Sequence, residues 1–218
     1  IIAQVHAAER HPRPETHGLN LVFMGMGEPL LNLDNLHGAL EILMERISWR
    51  RITVSTAGIV PGIEAMAGWP RRPRLAISLH AADDALRDQI MPINRKYPLA
   101  RLMAALERIP LAPKERITYE YILIDGLNDA LHQADALADL LPPDRSKVNL
   151  IPLNPDPVLG DLERPPDDRV DAFRDRLRAR GLIATVRRQR GDDVSAACGQ
   201  LRAPGRAPRG FRRSNLSL

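Results

Sequence analysis

The chain has 218 residues, is 44% hydrophobic and 27% charged, and contains one cysteine, Cys198. This composition is that of a soluble folded chain, and a single cysteine excludes an internal disulfide and any metal or iron–sulfur site built from several local cysteines. The formal net charge of +4 is unevenly placed: five of the 31 basic residues (Arg202, Arg206, Arg209, Arg212, Arg213) lie in the final eighteen beside no acid, so the remainder is close to neutral.

In chain order, residues 1–9 suit a helix, and a first strand is expected over 20–24. Leu36, Leu40, Leu43, Met44 and Ile47 recur at spacings of three and four, which predicts an amphipathic helix before a strand at 51–55. A strand at 74–79 is followed by short helices over 84–90 and 99–108, then by a strand at 117–124. The stripe Leu131, Ala134, Leu137, Ala138 and Leu141 ends at Pro142-Pro143, before a strand at 147–153. Val170, Phe173 and Leu177 form the last stripe, between an acidic start at Asp167-Asp168 and Gly181 at its end, and a final strand covers 182–187.

Several strands are apolar on nearly every residue, as expected of strands covered on both faces. An alternating β and α order predicts an α/β fold whose mostly parallel sheet, joined by right-handed crossovers, is either open or curled into a barrel. No run of eighteen apolar residues exists, and the N-terminus lacks a basic segment before an apolar one, so membrane-spanning and secretory classes are excluded and a cytoplasmic location is the default expectation. The Pro/Gly/Arg-rich residues 201–218 form either a solvated, disordered end or a contact for nucleic-acid phosphates, while residues 1–200 form the core domain.

Parallel α/β folds place their chemistry at the C-terminal ends of the strands. After the first strand stands Gly25-Met26-Gly27-Glu28-Pro29, where glycines admit a ligand to the backbone and Glu28 either holds an ammonium group or starts a helix. The second strand ends in Ser55-Thr56-Ala57-Gly58, and the third in Ser78-Leu79-His80-Ala81, where His80 is a base, a hydrogen-bond donor or a structural side chain. Asp125-Gly126-Leu127-Asn128-Asp129 reads as turn chemistry or as a polar ligand rim, and Asn154 stands where its amide is able to meet a base or a ribose. After the last strand come Arg187, Arg188 and Arg190, a phosphate contact or a solvated cluster, and then Cys198 among small residues, an accessible sulfur or a small buried hydrophobe.

Taken in order, these stretches resemble one family: the radical S-adenosylmethionine (SAM) methyltransferases that methylate C2 of adenine in 23S ribosomal RNA and transfer RNA. The landmarks are Gly25-Met26-Gly27-Glu28-Pro29-Leu30, Ser78-Leu79-His80-Ala81, Met91-Pro92-Ile93-Asn94, Lys147-Val148-Asn149-Leu150-Ile151-Pro152, and Arg190-Gly191-Asp192-Asp193 followed by Ala196-Ala197-Cys198-Gly199-Gln200-Leu201. Pro29 and the Arg-Gly-Asp-Asp stretch resemble the C2-methylating branch more than the related C8-methylating enzymes.

The resemblance implies a partial (β/α) barrel, with SAM and a [4Fe–4S] cluster as cofactors, 23S rRNA and tRNA as partners, and an external electron donor. It carries SAM binding to Gly27, Glu28, Ser55, Ser78, Leu79, His80 and Asn154, and the role of methyl carrier to Cys198. In the family one SAM methylates that cysteine, and a second is reductively cleaved at the cluster to a radical that activates the methyl carbon for attack on adenine. An unactivated adenine carbon is too poor a nucleophile for direct transfer, so alignment of base, methyl and radical supplies much of the rate.

The family's CxxxCxxC cluster motif, its resolving cysteine and its RNA-binding extension lie upstream of the Gly-Glu stretch, and residues 1–19 contain no cysteine. The expectation is a piece of such an enzyme that lacks the cluster loop and first strand, is inactive alone, and exposes an aggregation-prone sheet edge. Two other readings stand beside it: a non-catalytic SAM- or RNA-binding remnant, and a barrel enzyme using Cys198 as an ordinary nucleophile.

Overall fold

Six parallel strands lie side by side in the order in which the chain makes them, β1 to β6. They are β1 (Leu21–Phe23), β2 (Ile52–Thr56), β3 (Arg74–Ser78), β4 (Ile117–Leu123), β5 (Ser146–Pro152) and β6 (Ile183–Val186). The helices are α1 (Ile2–Glu9), α2 (Leu33–Met44), α3 (Val60–Ala67), α4 (Asp84–Ile90), α5 (Leu99–Glu107), α6 (Leu131–Leu140) and α7 (Asp167–Ala179). The computed structural model describes residues 1–10, 19–24, 27–154 and 161–187.

Strand order decides which face the helices cover. An unreversed order with right-handed crossovers sends every connection to the same side of the sheet. One apolar cluster accordingly joins that side of the strands (Val54, Ile77, Tyr119, Tyr121, Val148) to Leu40, Ile63, Leu102, Leu137 and Phe173 of the helices. Tyr121 and Phe173 meet with ring centroids 5.4 Å apart, fastening α7 to β4.

The expectation of strands covered on both faces is therefore corrected. Along β5, Ser146, Val148, Leu150 and Pro152 are buried, while Lys147, Asn149 and Ile151 between them are only partly so. Helices cover one face, and the other is a barrel-type inner face carrying polar side chains.

The expected strands and helices agree with the structure to within a few residues. Helix α4 occupies the expected span, with Asp83 Oδ1 accepting from the Leu86 N–H at 2.8 Å. The last stripe becomes α7, which begins at Asp167-Asp168 as its acidic first turn requires. Helix α3 was not anticipated, because its eight residues begin Val-Pro-Gly and show no long apolar stripe. Among the described residues, no helix is long and apolar enough to cross a membrane.

Candidate functional site

Period-two alternation and parallel register arrange the inner-face side chains in layers. Ser78 on β3 lies opposite Glu120 on β4, Glu120 opposite Asn149 on β5, and Asn149 opposite Thr185 on β6. One step toward the N-terminal ends of the strands, Ser55 pairs with Ala76 and Ala76 with Thr118. The layer from Ser78 to Thr185 is thus made of hydroxyls, an amide and one carboxyl, where a packed barrel would hold Val, Ile or Leu.

Glu28 follows β1 and, of its two alternatives, takes the helix-start one. One oxygen, Oε1, accepts from the Leu30 N–H at 3.0 Å and caps the 3₁₀ turn Pro29–Leu31. The other, Oε2, accepts from the Ala57 N–H at 2.7 Å and ties this loop to the end of β2. Each carboxylate oxygen accepts more than one hydrogen bond, so Glu28 keeps acceptor capacity for a ligand cation while its position is locked. Gly27 beside it has φ +125, a backbone that side-chain-bearing residues rarely adopt, and an added Cβ would meet nothing within 4 Å.

At the end of β3 the ladder to β4 stops in an ordered way. The Leu79 N–H donates to the Glu120 carbonyl at 2.9 Å, and the next rung would bring the Ile122 N–H to the Leu79 carbonyl. His80 instead turns into the left-handed region at φ 61, and its Nδ1 accepts from the Ile122 N–H at 3.1 Å. The Leu79 carbonyl is taken by Nε of Arg87 at 3.1 Å. Two side chains therefore close the rung that the backbone leaves open. Because Nδ1 is an acceptor, the proton of the neutral ring is on Nε2, and His80 is a donor and not a base. Burial, with a smaller contribution from the Arg87 charge, lowers its pKa to about 4.

Arg87 is fully buried and serves the same strand ends. Its Nη2 donates to the Ala57 carbonyl at 2.9 Å and to the Ser78 carbonyl at 3.3 Å, while Nη1 donates to Asn94 Oδ1 at 2.8 Å. The Asn94 amide in turn donates to Asp84 at 2.8 Å and Asp88 at 2.7 Å. Burial lowers the Arg87 pKa to about 10, opposed by these two carboxylates, so the guanidinium stays charged at neutral pH. Gly58 completes the turn at φ +105, where a Cβ would press on Leu102 at 3.3 Å and Arg87 at 3.5 Å.

The 125–129 segment settles as turn chemistry. Asn128 is fully buried, and its amide donates to the His80 carbonyl at 2.9 Å and the Ile122 carbonyl at 2.6 Å. Its Oδ1 accepts from the Ile124 N–H at 2.7 Å, and Asp129 Oδ1 accepts from the Gly126 N–H at 3.0 Å. Asn128 thus holds His80 in its left-handed conformation from the β4 side.

The structure brings Gly27, Glu28, Ser55, Ser78, Leu79, His80 and Asn154 to the C-terminal half of one sheet. Ser55 and Ser78 face inward. Leu79 is fully buried in the apolar core, so only its backbone is available to a ligand. Asn154 is partly buried two residues past β5. Cys198, Arg188, Arg190 and the 201–218 tail lie outside the described residues. Residue-type reasoning passed over Glu120 and Arg87, since a charged residue inside a strand or helix carries no signal of burial until the strands are paired.

A ligand with an ammonium group, hydroxyls and ring nitrogens matches this donor and acceptor set. Thiolate ligation of a cluster does not fit it: the chain has one cysteine, and no group of three or more His, Cys, Asp or Glu able to hold a metal occurs among the described residues.

Residues 8–140, from the end of α1 to the end of α6, match the model of the Radical SAM superfamily. The chain is 48% identical to the dual-specificity RNA methyltransferase RlmN of Anaeromyxobacter dehalogenans over 218 residues, covering 94% of this chain and 57% of that protein. Against RlmN of Syntrophobacter fumaroxidans the identity is 48% over 205 residues, covering 92% of this chain and 59% of the relative. The chain therefore spans little more than half the length of the curated relatives it matches. A radical SAM methyltransferase from Sphaerobacter thermophilus superposes with a TM-score of 0.79 at 44% identity, over 92% of this chain and 58% of that one. A domain of a pyruvate-formate lyase-activating enzyme from Bacteroides vulgatus, 20% identical with a TM-score of 0.59 over 78% of this chain and 99% of that one, shares the fold alone. With its sequentially ordered parallel sheet and its polar inner face, the chain belongs to the radical SAM superfamily.

Proposed function

We propose that this chain is the SAM-holding part of an RNA methyltransferase that acts on C2 of adenine in 23S rRNA and tRNA in the cytoplasm. Supporting this reading is one observation above others: Glu28, Ser78 and His80, from the ends of β1 and β3, are tied through Ala57 at the end of β2, Arg87 and Asn128 into a preformed polar site, with Ser55 on the same face. Preformed positions matter because a cofactor must be held in one orientation for its methyl group to reach a fixed acceptor.

In this reading Glu28 and the Gly27 backbone hold the amino group of the methionine moiety. Ser55, the Ser78–His80 backbone, the His80 Nε2–H and Asn154 take the remaining polar atoms. SAM, when bound, supplies the methyl group. Cys198 is the proposed carrier of that methyl on its way to RNA. The [4Fe–4S] cluster and its electron donor belong to the longer protein, and no step is assigned to them from these residues. Residues 1–200 form the core, and the arginines of 201–218 add phosphate contacts.

Mass spectrometry of the intact parent protein, expressed with a filled cluster and SAM, tests the reading. A methylated Cys198 peptide and 2-methyladenosine in the treated RNA are expected. An unmodified Cys198 with unmodified RNA overturns it in favour of a non-catalytic SAM- or RNA-binding role.

A further inference from the structure

One carboxyl on the inner face has no part in the site as assigned so far. Glu120 points from β4 onto that face because its neighbours Tyr119 and Tyr121 fill the helix-side core. It is 9% exposed and lies between Ser78 and Asn149 in the polar layer. Ser55 of β2 favours its charged form, and Ala76 of β3, with no more than a methyl, stands between the two strands in this part of the inner face. Arg187, just past β6, acts on it through space. Burial pushes the carboxyl above its ordinary pKa, and these two partners only partly offset that cost. A structural residue at this place needs no charge: Gln or Thr would complete the polar layer between Ser78 and Asn149 without the desolvation penalty of a carboxylate.

Glu120 also stands at an informative distance from the other carboxylate of the site. Glu28 is clasped to the end of β2, and Glu120 is on β4, two strand spacings away or about 10 Å across the sheet. That is comparable to the separation between the amino-acid head and the sugar of a nucleoside–amino-acid conjugate. We propose that Glu120 is a ligand-holding residue of this site, its carboxylate accepting hydrogen bonds from the ribose diol of the bound nucleoside while Glu28 takes the ammonium at the other end. Two carboxylate oxygens match two vicinal hydroxyls, and acidic residues hold ribose hydroxyls in the same way at the strand ends of dinucleotide-binding sheets. The inference rests on the SAM reading of the site.

Equilibrium dialysis with the full chain tests it, using SAM, 5′-methylthioadenosine and the 2′,3′-dideoxy form of the latter. Glu120→Gln is expected to weaken SAM and methylthioadenosine at least tenfold, yet to bind the dideoxy compound as the unsubstituted protein does. Its melting temperature at pH 8 should equal or exceed that of the unsubstituted protein, which a purely structural role for Glu120 would not produce. Affinities for SAM and methylthioadenosine within twofold of the unsubstituted protein overturn the inference and leave the SAM reading standing. Absence of any SAM binding by the unsubstituted protein overturns that reading itself. Should Glu120→Gln not fold, Glu120→Asp, which withdraws the carboxylate by one methylene, is expected to lose affinity likewise, and unchanged binding overturns the proposal.

Discussion

The Ile122 N–H donates to Nδ1 of His80 at 3.1 Å, so a side chain occupies the place of a backbone carbonyl at the point where β3 and β4 part. This one bond fixes the imidazole tautomer and leaves Nε2–H as the polar group of the ring that remains for a ligand. Substitution can separate the two nitrogens. In His80→Asn the side-chain carbonyl takes over the Nδ1 position, and Asn tolerates the left-handed backbone better than most residues. We expect this variant to stay within about 1 kcal/mol of the original stability and to lose roughly tenfold in SAM affinity, the cost of about one hydrogen bond. Urea melts and dialysis measure the two quantities.

The low His80 pKa makes a statement about acid stability. The unfolded chain takes up this proton near pH 6.5 and the folded one only near 4, so the unfolded state binds more protons between them. The contribution of His80 is therefore complete above pH 6.5 and lost as pH falls toward 4, a difference of about 3 kcal/mol. Glu120 has the opposite slope, because its raised pKa penalises the folded state as pH rises above the ordinary carboxylate range. Denaturant melts from pH 8 to 4 should show His80→Asn with a flatter acid loss and Glu120→Gln with a steeper one.

Arg87 is expected to be the most sensitive polar position. Arg87→Met leaves the Ala57, Ser78 and Leu79 carbonyls without their guanidinium donor and Asp84 and Asp88 without their buried cation. A loss of about 3–5 kcal/mol follows for breaking a buried charged network from one side. Asn94→Ala, which removes the link between Arg87 and the two aspartates, should cost about 2 kcal/mol. Thermal melts check both, and a loss below 1 kcal/mol for Arg87→Met contradicts the network as described.

Two glycines make a paired test of packing. Gly38 lies within α2 with nothing within 4 Å of an added Cβ, so Gly38→Ala should stabilise the protein by about 1 kcal/mol. Gly62 lies in α3, where the same atom would stand 2.7 Å from Leu30 Cβ and 3.2 Å from the Leu30 carbonyl. Gly62→Ala should cost about 1–3 kcal/mol as α3 is pushed from the Glu28 loop, and SAM affinity should fall with it.

Much of the architecture is legible in the chain before it folds. The apolar stripes of α2, α6 and α7 and the six strand segments were legible because burial of one face imposes a local period that needs no knowledge of the partner. The positions of Gly27, Glu28, Ser55, Ser78 and His80 at strand ends followed from the same segments, and so did the α/β class. Other features depend on the assembled sheet. Whether His80 is a base or a donor depends on Ile122, 42 positions away. Glu120 faces inward, not outward, because β4 pairs in one register with β3, and a one-residue slip would exchange it with Tyr119 or Tyr121. Arg87 reads as a surface residue of a short helix until the ends of β2 and β3 come together around it. The division follows from range: periodicity is written within ten residues, whereas the protonation, burial and facing of these three side chains are set by strands that meet only when the sheet forms.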